Sequence, residues 1–359
     1  MPVLEAIGHA VPGPPVLQSD VRRKAEEVLA ALAPELLEKM DVFEHTGIRK
    51  RHFVRPLDWF LESHGWAERS TIYREVGLDI MERATRMALE RAQLGPREID
   101  GIVFVSTTGI ATPSLDARLA NKLGMRSDIM RVPMWGLGCV GGVAGLNVAA
   151  DLARAHPQKR FLLVSMELCS LAFNLSDLSV RAFIANTLFG DGCAAAIVRG
   201  DDVRGDDKDG VESAHARLLP GAWHQWPDTE SVMGWDVTDE GLRVVFSRRI
   251  PEIVAKEFQP VVEAYVKSSG VSPDRHLFHP GGTKVLEAYQ SALGLSDAAL
   301  AESRDVLRNY GNMSSPTVLF VLDEALRRRA LAPGEVALVG ALGPGFTSSL
   351  LTLEGLRAE

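Results

Sequence analysis

The sequence predicts an α/β protein built from two similar halves, and three observations carry that reading. Short apolar, β-branched runs alternate with helical stretches, which implies a largely parallel sheet covered by helices. A glycine-rich turn, a helix and a buried strand succeed one another twice: around Trp135 to Leu146, on to Ala155, then Phe161 to Val164; and again at Gly311 to Ser315, on to Arg329, then Val336 to Val339. The third is size: 359 residues, 46% hydrophobic and 24% charged, suffice for one large core or two packed halves. The repeated pattern reads as an internal duplication that would set Cys139 and Asn312 at corresponding helix starts facing one pocket.

Taken in order, Val21 to Met40 forms an amphipathic helix with a solvated charged face. The basic run His45-Thr46-Gly47-Ile48-Arg49-Lys50-Arg51-His52 either meets phosphates or is simply exposed. Leu78 to Ala92 carries Ala84, Met87, Ala88 and Ala92 at helical spacing and stops at Leu94-Gly95-Pro96, so it is a core helix. Ile102 to Val105 is a buried strand, Leu115 to Leu123 a helix, and Phe161 to Ser165 a further strand. Cys193 to Val198 follows, entered through the turn Gly190-Asp191-Gly192. The polar, glycine-punctuated stretch Gly200 to Gly210 marks the boundary between halves 1–205 and 206–359. The second half offers a helix near Pro251 to Val266, a strand at His276 to Phe278 and a helix starting at Ser315.

Composition narrows the function. A net charge of −8 argues against a nucleic-acid-binding surface, which needs a concentrated basic face. Cys139, Cys169 and Cys193 are too few and too irregularly spaced for a disulfide framework or a zinc site, so a reducing cytosol is expected. Met1-Pro2-Val3-Leu4-Glu5-Ala6 has no positive region followed by an apolar run, and no stretch of about 18 apolar residues occurs. Neither export by a standard signal nor a membrane span is expected.

The cysteine turn, Trp135-Gly136-Leu137-Gly138-Cys139-Val140-Gly141-Gly142, delivers Cys139 to the first turn of a buried helix. Unpaired N–H groups there would stabilise a thiolate and the oxyanion formed when a thioester is attacked. Free cysteines are more often buried and inert. The same letters match a dinucleotide fingerprint at Gly136, Gly138 and Gly141, with Glu167 as a ribose-binding acid. A long α/β segment ahead of it and a thiol among the glycines weaken that match. His279 follows a short strand and is held by Pro280 and Gly281; it suits a base beside a thiol, or a structural hydrogen bond. Asn312 by itself reads as a helix cap, and Ala341 to Thr347 as a turn.

Together, Gly138-Cys139-x-Gly141-Gly142, Leu188-Phe189-Gly190-Asp191-Gly192, His279-Pro280-Gly281-Gly282, Tyr310-Gly311-Asn312-Met313-Ser314-Ser315 and Gly343-Pro344-Gly345 resemble the type III polyketide synthases, the chalcone and stilbene synthase family. The resemblance implies a thiolase-like fold of two duplicated α/β halves in a layered αβαβα core, working as a homodimer on acyl-CoA and malonyl-CoA without metal or redox cofactor. It implies that Cys139 takes the starter acyl group while His279 keeps the thiol deprotonated. His279 and Asn312 would then hold the thioester oxygen of malonyl-CoA as carbon dioxide leaves. Phe189 would stand between the coenzyme A tunnel and a pocket that also includes Thr107 and Thr112, and Gly343, Pro344 and Gly345 would shape its wall.

Against plant members, Val244 replaces a second gatekeeping Phe, Cys169 and Ala172 replace threonines, and Trp235 replaces a glycine. Met233-Gly234-Trp235-Asp236-Val237 resembles bacterial synthases that make alkylpyrones or alkylresorcinols from fatty acyl-CoA. Ala172 is then expected to leave room for a long acyl chain and Trp235 to close another side. The plant coenzyme A-binding basic residues do not carry over, since Glu38, Asp41 and His45 occupy that region; Arg49, Lys50, Gly281, Gly282 and Lys284 are the substitutes. Alternatives are a ketoacyl-carrier-protein synthase III-like enzyme, a nicotinamide-dependent oxidoreductase and an inactive thiolase-like binding subunit.

Overall fold

The structure is a computed structural model and describes residues 1–203, 216–239 and 241–356. The first half contributes β1 (Val3–Ala10), β2 (Val16–Leu17), α1 (Gln18–Leu32), α2 (Val42–His45), β3 (Lys50–Arg51), α3 (Trp66–Arg91), β4 (Gly101–Val105), α4 (Leu115–Leu123), β5 (Met130–Met134), α5 (Gly141–Ala155), β6 (Arg160–Leu168), α6 (Val180–Leu188) and β7 (Asp191–Arg199). The second contributes β8 (Ala216–Leu218), β9 (Ala222–Gln225), β10 (Met233–Thr238), β11 (Gly241–Phe246), α7 (Ile250–Ser269), β12 (Arg275–Phe278), α8 (Thr283–Leu293), α9 (Ala301–Tyr310), α10 (Thr317–Arg328), β13 (Val336–Gly343) and β14 (Thr347–Gly355).

One sheet runs β12-β13-β14-β8-β1-β7-β6-β4-β5, with β9 beside β14. Only β4–β5, β4–β6 and β12–β13 pair in parallel; the other pairings are antiparallel. The expected largely parallel sheet is thus corrected to a mixed one. The reason is that α6 packs on the β10–β11 hairpin instead of crossing the sheet, and β13 turns directly into β14, so both following strands return antiparallel.

Topology carries the duplication. β1, β7, β6 and β4 lie side by side with the same succession of orientations as β8, β14, β13 and β12, and α5 precedes β6 as α10 precedes β13. Strand alternation then builds the layers. Val103 and Val105 face the middle of the molecule, while Ile102 and Phe104 face α3 and α4. Leu277, Val339 and Leu351 face the same middle from the other half, while Phe278, Leu338 and Leu350 face α7 and α8. Helices α5 and α10 fill the middle and are buried on both sides, which gives the αβαβα order.

Some boundaries differ from expectation. The helix expected over Val21 to Met40 ends at Leu32, because Pro34 forces Ala33 out of the helical region (φ −155°, ψ 64°). The core helix expected from Leu78 begins at Trp66 and buries Arg69, Ile72 and Tyr73 on its earlier turns. The helix expected from Ser315 starts at Thr317. Of the Gly200 to Gly210 boundary, residues 204–210, including the division at 205/206, lie outside the described residues. Among the described residues no helix is long and apolar enough to cross a membrane.

Candidate active site

The chain leaves β5 through Gly136 (φ 89°) and Gly138 (φ 49°), conformations that a side chain would disfavour, and turns into α5 with Cys139 on its threshold. Gly138 N–H donates to Thr107 Oγ1 at 3.0 Å. The other half clamps the turn: a Cβ on Gly138 would stand 2.8 Å from the Pro344 ring, and one on Gly343 would stand 2.6 Å from Val140 N. Cys139 is 7% exposed. Burial pushes its thiol up to about 11; the polar side chains of Ser314 and Asn312 oppose that shift, and the Glu167 charge adds to it.

Asn312 is where the pieces meet. Its backbone bridges the Phe189 segment, with Asn312 N–H donating to Leu188 O and Gly190 N–H donating to Asn312 O, both at 2.9 Å. Its side-chain Nδ2 donates to Gly281 O at 3.1 Å, and its Oδ1 accepts from Ser314 N–H at 2.8 Å. The second Nδ2 hydrogen is left for the interior near Cys139. His279 follows β12, its N–H donating to Gly340 O at 2.9 Å. The ring is 2% exposed, and neither nitrogen has a partner among the described residues. Burial pushes it down to about 3, so the imidazole is neutral near pH 7.

Behind the turn, Glu167 is fully buried and accepts from Thr107 N–H (2.9 Å), Thr108 N–H (2.9 Å), Thr108 Oγ1 (2.7 Å) and Ser315 Oγ (2.9 Å). Burial raises it to about 7 against those hydrogen bonds. This overturns the dinucleotide reading. Glu167 has no exposed face for a ribose, and a Cβ on Gly141 or Gly142 would already stand 2.6 Å from Val105 or 2.2 Å from Ser315 O. These glycines serve helix packing.

A cavity of about 310 Å³ has Ala172, Phe189, Trp235 and Val244 in its wall, four of the expected pocket residues. Cys169, also expected there, is fully buried in the same cluster against Phe189. Trp235 and Val244 are register partners on β10–β11, and the Phe189 and Trp235 rings lie 5.8 Å apart. The polar lining of the cavity includes Asn174, Asp177, Asn186 and Arg243. Thr107, Gly343 and Pro344 lie outside the wall of this cavity and pack on the cysteine turn, and the Gly345 carbonyl accepts from Thr229 Oγ1 at 3.1 Å. Thr112 is on the surface.

The expected phosphate contacts fare differently. Arg49 and Lys284 are exposed and Lys50 is half-buried; with Gly281 and Gly282 they lie outside the wall of the Phe189–Trp235 cavity. Arg51, from the same basic run, is fully buried and donates to Phe189 O at 2.6 Å and Asn186 O at 2.7 Å, holding the Phe189 segment. Sequence reasoning missed Ser314, Arg51 and the β10–β11 hairpin. The only local signal was the alternation within Gly241 to Phe246.

Comparison with known proteins follows the same lines. The model for the N-terminal domain of chalcone and stilbene synthases matches residues 2–202, and that for the C-terminal domain matches 218–357. A Bacillus subtilis (strain 168) protein with a provisional chalcone synthase name is 36% identical over 359 residues, covering 98% of each chain. The 1,3,6,8-tetrahydroxynaphthalene synthase of Streptomyces peucetius subsp. caesius is 39% identical over 312 residues, 86% of this chain and 81% of that one. The crystal structure of 1,3,6,8-tetrahydroxynaphthalene synthase from Streptomyces coelicolor A3(2), a bacterial type III polyketide synthase, is similar with a TM-score of 0.92 at 30% identity, over 99% of this chain and 100% of that one. The chain therefore belongs to the chalcone and stilbene synthase family and is a type III polyketide synthase of thiolase-like fold.

Proposed function

We propose that the protein loads an acyl group from acyl-CoA onto Cys139 and extends it repeatedly with malonyl-CoA. In loading, the Cys139 sulfur attacks the thioester carbonyl, His279 accepts the thiol proton, and coenzyme A leaves as a thiol that takes it back. In extension, malonyl-CoA loses carbon dioxide, and the enolate oxygen accepts N–H bonds from neutral His279 and from the second Nδ2 hydrogen of Asn312. The enolate carbon then bonds to the acyl carbonyl and the C–S bond to Cys139 breaks, freeing the thiolate. These steps need no redox group, since no net electron transfer occurs. The position of Asn312, tied at once to the His279 loop, the Phe189 segment and the cysteine turn, carries this reading. Cys139→Ala is expected to abolish product. His279→Ala and Asn312→Ala should each slow malonyl-CoA decarboxylation by about a hundredfold or more. An undiminished rate in both would remove them from the chemistry.

For the starter, a medium- or long-chain fatty acyl group fits best, with closure to an alkylpyrone or alkylresorcinol. Small Ala172 in the wall supports this, as does an apolar groove of about 130 Å³ lined by Val21, Leu29, Phe53 and Phe60, which shares Phe173, Asn174 and Asn186 with the cavity. The 39% identical relative, by its name a tetrahydroxynaphthalene synthase, favours a second reading in which malonyl units alone build the product. Mass spectrometry of products from malonyl-CoA with and without a panel of acyl-CoAs separates the two. A homodimer is part of the proposal: β5 ends the sheet with an open edge, and Ile110 and Trp135 beside it are each 53% exposed.

A further inference from the structure

Helix α6 ends at Leu188, immediately before Phe189, and its last carbonyls have no partner inside the helix. Donors from distant parts of the chain take them. Arg51 Nη1 donates to Asn186 O at 2.7 Å and to Phe189 O at 2.6 Å, Gln18 Nε2 donates to Thr187 O at 2.9 Å, and Asn312 N–H donates to Leu188 O at 2.9 Å. A cation here also meets the negative pole of the helix. Gln18 Oε1 accepts in turn from Arg51 Nε at 2.9 Å, which fixes the plane of the guanidinium.

The stem of the same arginine lies over the residue before Asn312. A Cβ on Gly311 (φ 71°) would stand 2.8 Å from both Cγ and Cδ of Arg51 and 2.9 Å from Leu188 O. On the other side of the contact, Gly190 N–H donates to Asn312 O at 2.9 Å, and a Cβ on Gly190 would stand 2.6 Å from Tyr310 O. Segments 188–190 and 310–312 therefore cross closely, with Arg51 laid across both. That crossing carries Phe189, in the wall of its cavity with Trp235, and Asn312. Arg51 is fully buried. Burial pushes its guanidinium down to about 9 against the favourable charge of Asp191, so it stays protonated at pH 7. Withdrawing such a group from water is unfavourable, and an apolar side chain would fill the space without that penalty. It would not, however, hold two carbonyls while pressing on Gly311.

We propose that Arg51 is a positioning residue for the decarboxylation of malonyl-CoA: it locks the crossing of 188–190 with 310–312 and so holds the backbone from which the Asn312 amide reaches the interior near Cys139. This rests on the reading that Asn312 binds the enolate oxygen. A donor displaced by about 1 Å can forfeit about a hundredfold in rate.

The test compares Arg51→Met, Arg51→Lys, Gln18→Leu and Asn312→Ala in the full chain, with Arg51→Met also combined with Asn312→Ala, after melting temperatures have shown which variants are folded. Gln18→Leu is the milder change, because it removes the acceptor that orients the fork and the bond to Thr187 O but leaves Arg51 in place. Arg51→Met is expected to lower kcat for malonyl-CoA decarboxylation about tenfold or more with KM moving less than about threefold, and Gln18→Leu to lower kcat by a few-fold. Arg51→Lys keeps a charge without the planar fork and should recover only a small part of the loss. On the Asn312→Ala background, Arg51→Met should lower kcat by less than about twofold further, since the amide it positions is gone. Hydrogen exchange gives a readout that does not depend on turnover: the N–H groups of Gly190 and Asn312 should exchange about tenfold faster in Arg51→Met and a few-fold faster in Gln18→Leu, with those of β6 unchanged. A wild-type kcat in folded Arg51→Met, or in Gln18→Leu where Arg51→Met does not fold, would overturn the proposal. So would full recovery by Arg51→Lys, which would make charge alone responsible, or an equal loss with and without the Asn312 amide, which would mean that Arg51 acts by another route. Faster exchange at Gly190 and Asn312 beside unimpaired decarboxylation by Asn312→Ala would keep Arg51 as the anchor of the crossing and overturn the proposed role of Asn312 instead.

Discussion

Burial displaces Cys139 and His279 in opposite directions, the thiol up to about 11 and the imidazole down to about 3. Both are then neutral at pH 7, and in the loading step proposed above the proton moves as the sulfur attacks. For a thiol with a raised pKa the reactive thiolate becomes more abundant as pH rises. Iodoacetamide should therefore label Cys139 about tenfold faster for each pH unit between 7 and 9. Cys169 and Cys193, fully buried, should react far more slowly. A Cys139 rate already level at pH 7 would mean that the ion pair exists before substrate arrives. Asn312→Ala, which removes a group favouring the thiolate, should slow labelling further.

Among the elements, the packing of α5 on α10 decides where the cysteine stands. A methyl group on Gly142 would lie 2.2 Å from the Ser315 carbonyl oxygen and 2.8 Å from Val318. Backbone cannot yield as a flexible side chain can. Gly142→Ala should cost about 3 kcal/mol in urea unfolding. The control is Gly234, on β10, where an added Cβ meets nothing within 4 Å; Gly234→Ala should change stability by no more than about 0.5 kcal/mol. Equal stability of the two variants would show that the helices part without cost. The same contact brings Ser315 to Glu167, so the tight helix pair also fixes the polar support under Thr107 and Thr108.

At the level of the whole molecule, Cys139 belongs to one half, and His279 and Asn312 to the other. Two buried acids sit near this seam, Glu167 and Asp191, both pushed by burial to about 7. A carboxyl group raised in the folded state gives its stability in full below the unfolded value, near 4, and loses it as pH rises through the folded value. The melting temperature of wild type relative to Glu167→Gln should accordingly be highest near pH 4 and fall towards pH 7. A difference that grows with pH would mean that the four hydrogen bonds to Glu167 outweigh its burial and keep it ionised.

Local pattern was enough to locate the strand at Ile102 to Val105, the helix at Leu115 to Leu123, the cysteine turn and its echo at Gly311 to Ser315. Each depends on neighbours within a turn or two, where glycine freedom and apolar period act directly. Strand direction, the Arg51 grip on Phe189, and the Ser314 and Asn312 side chains near the sulfur depend instead on partners far along the chain. Alternation records which face of a strand is buried, but not which strand lies beside it or in which direction that neighbour runs. The sequence by itself determined that two like α/β units would carry a thiol, an imidazole and an amide; only the tertiary structure decided which walls enclose them, because long-range packing sets those distances.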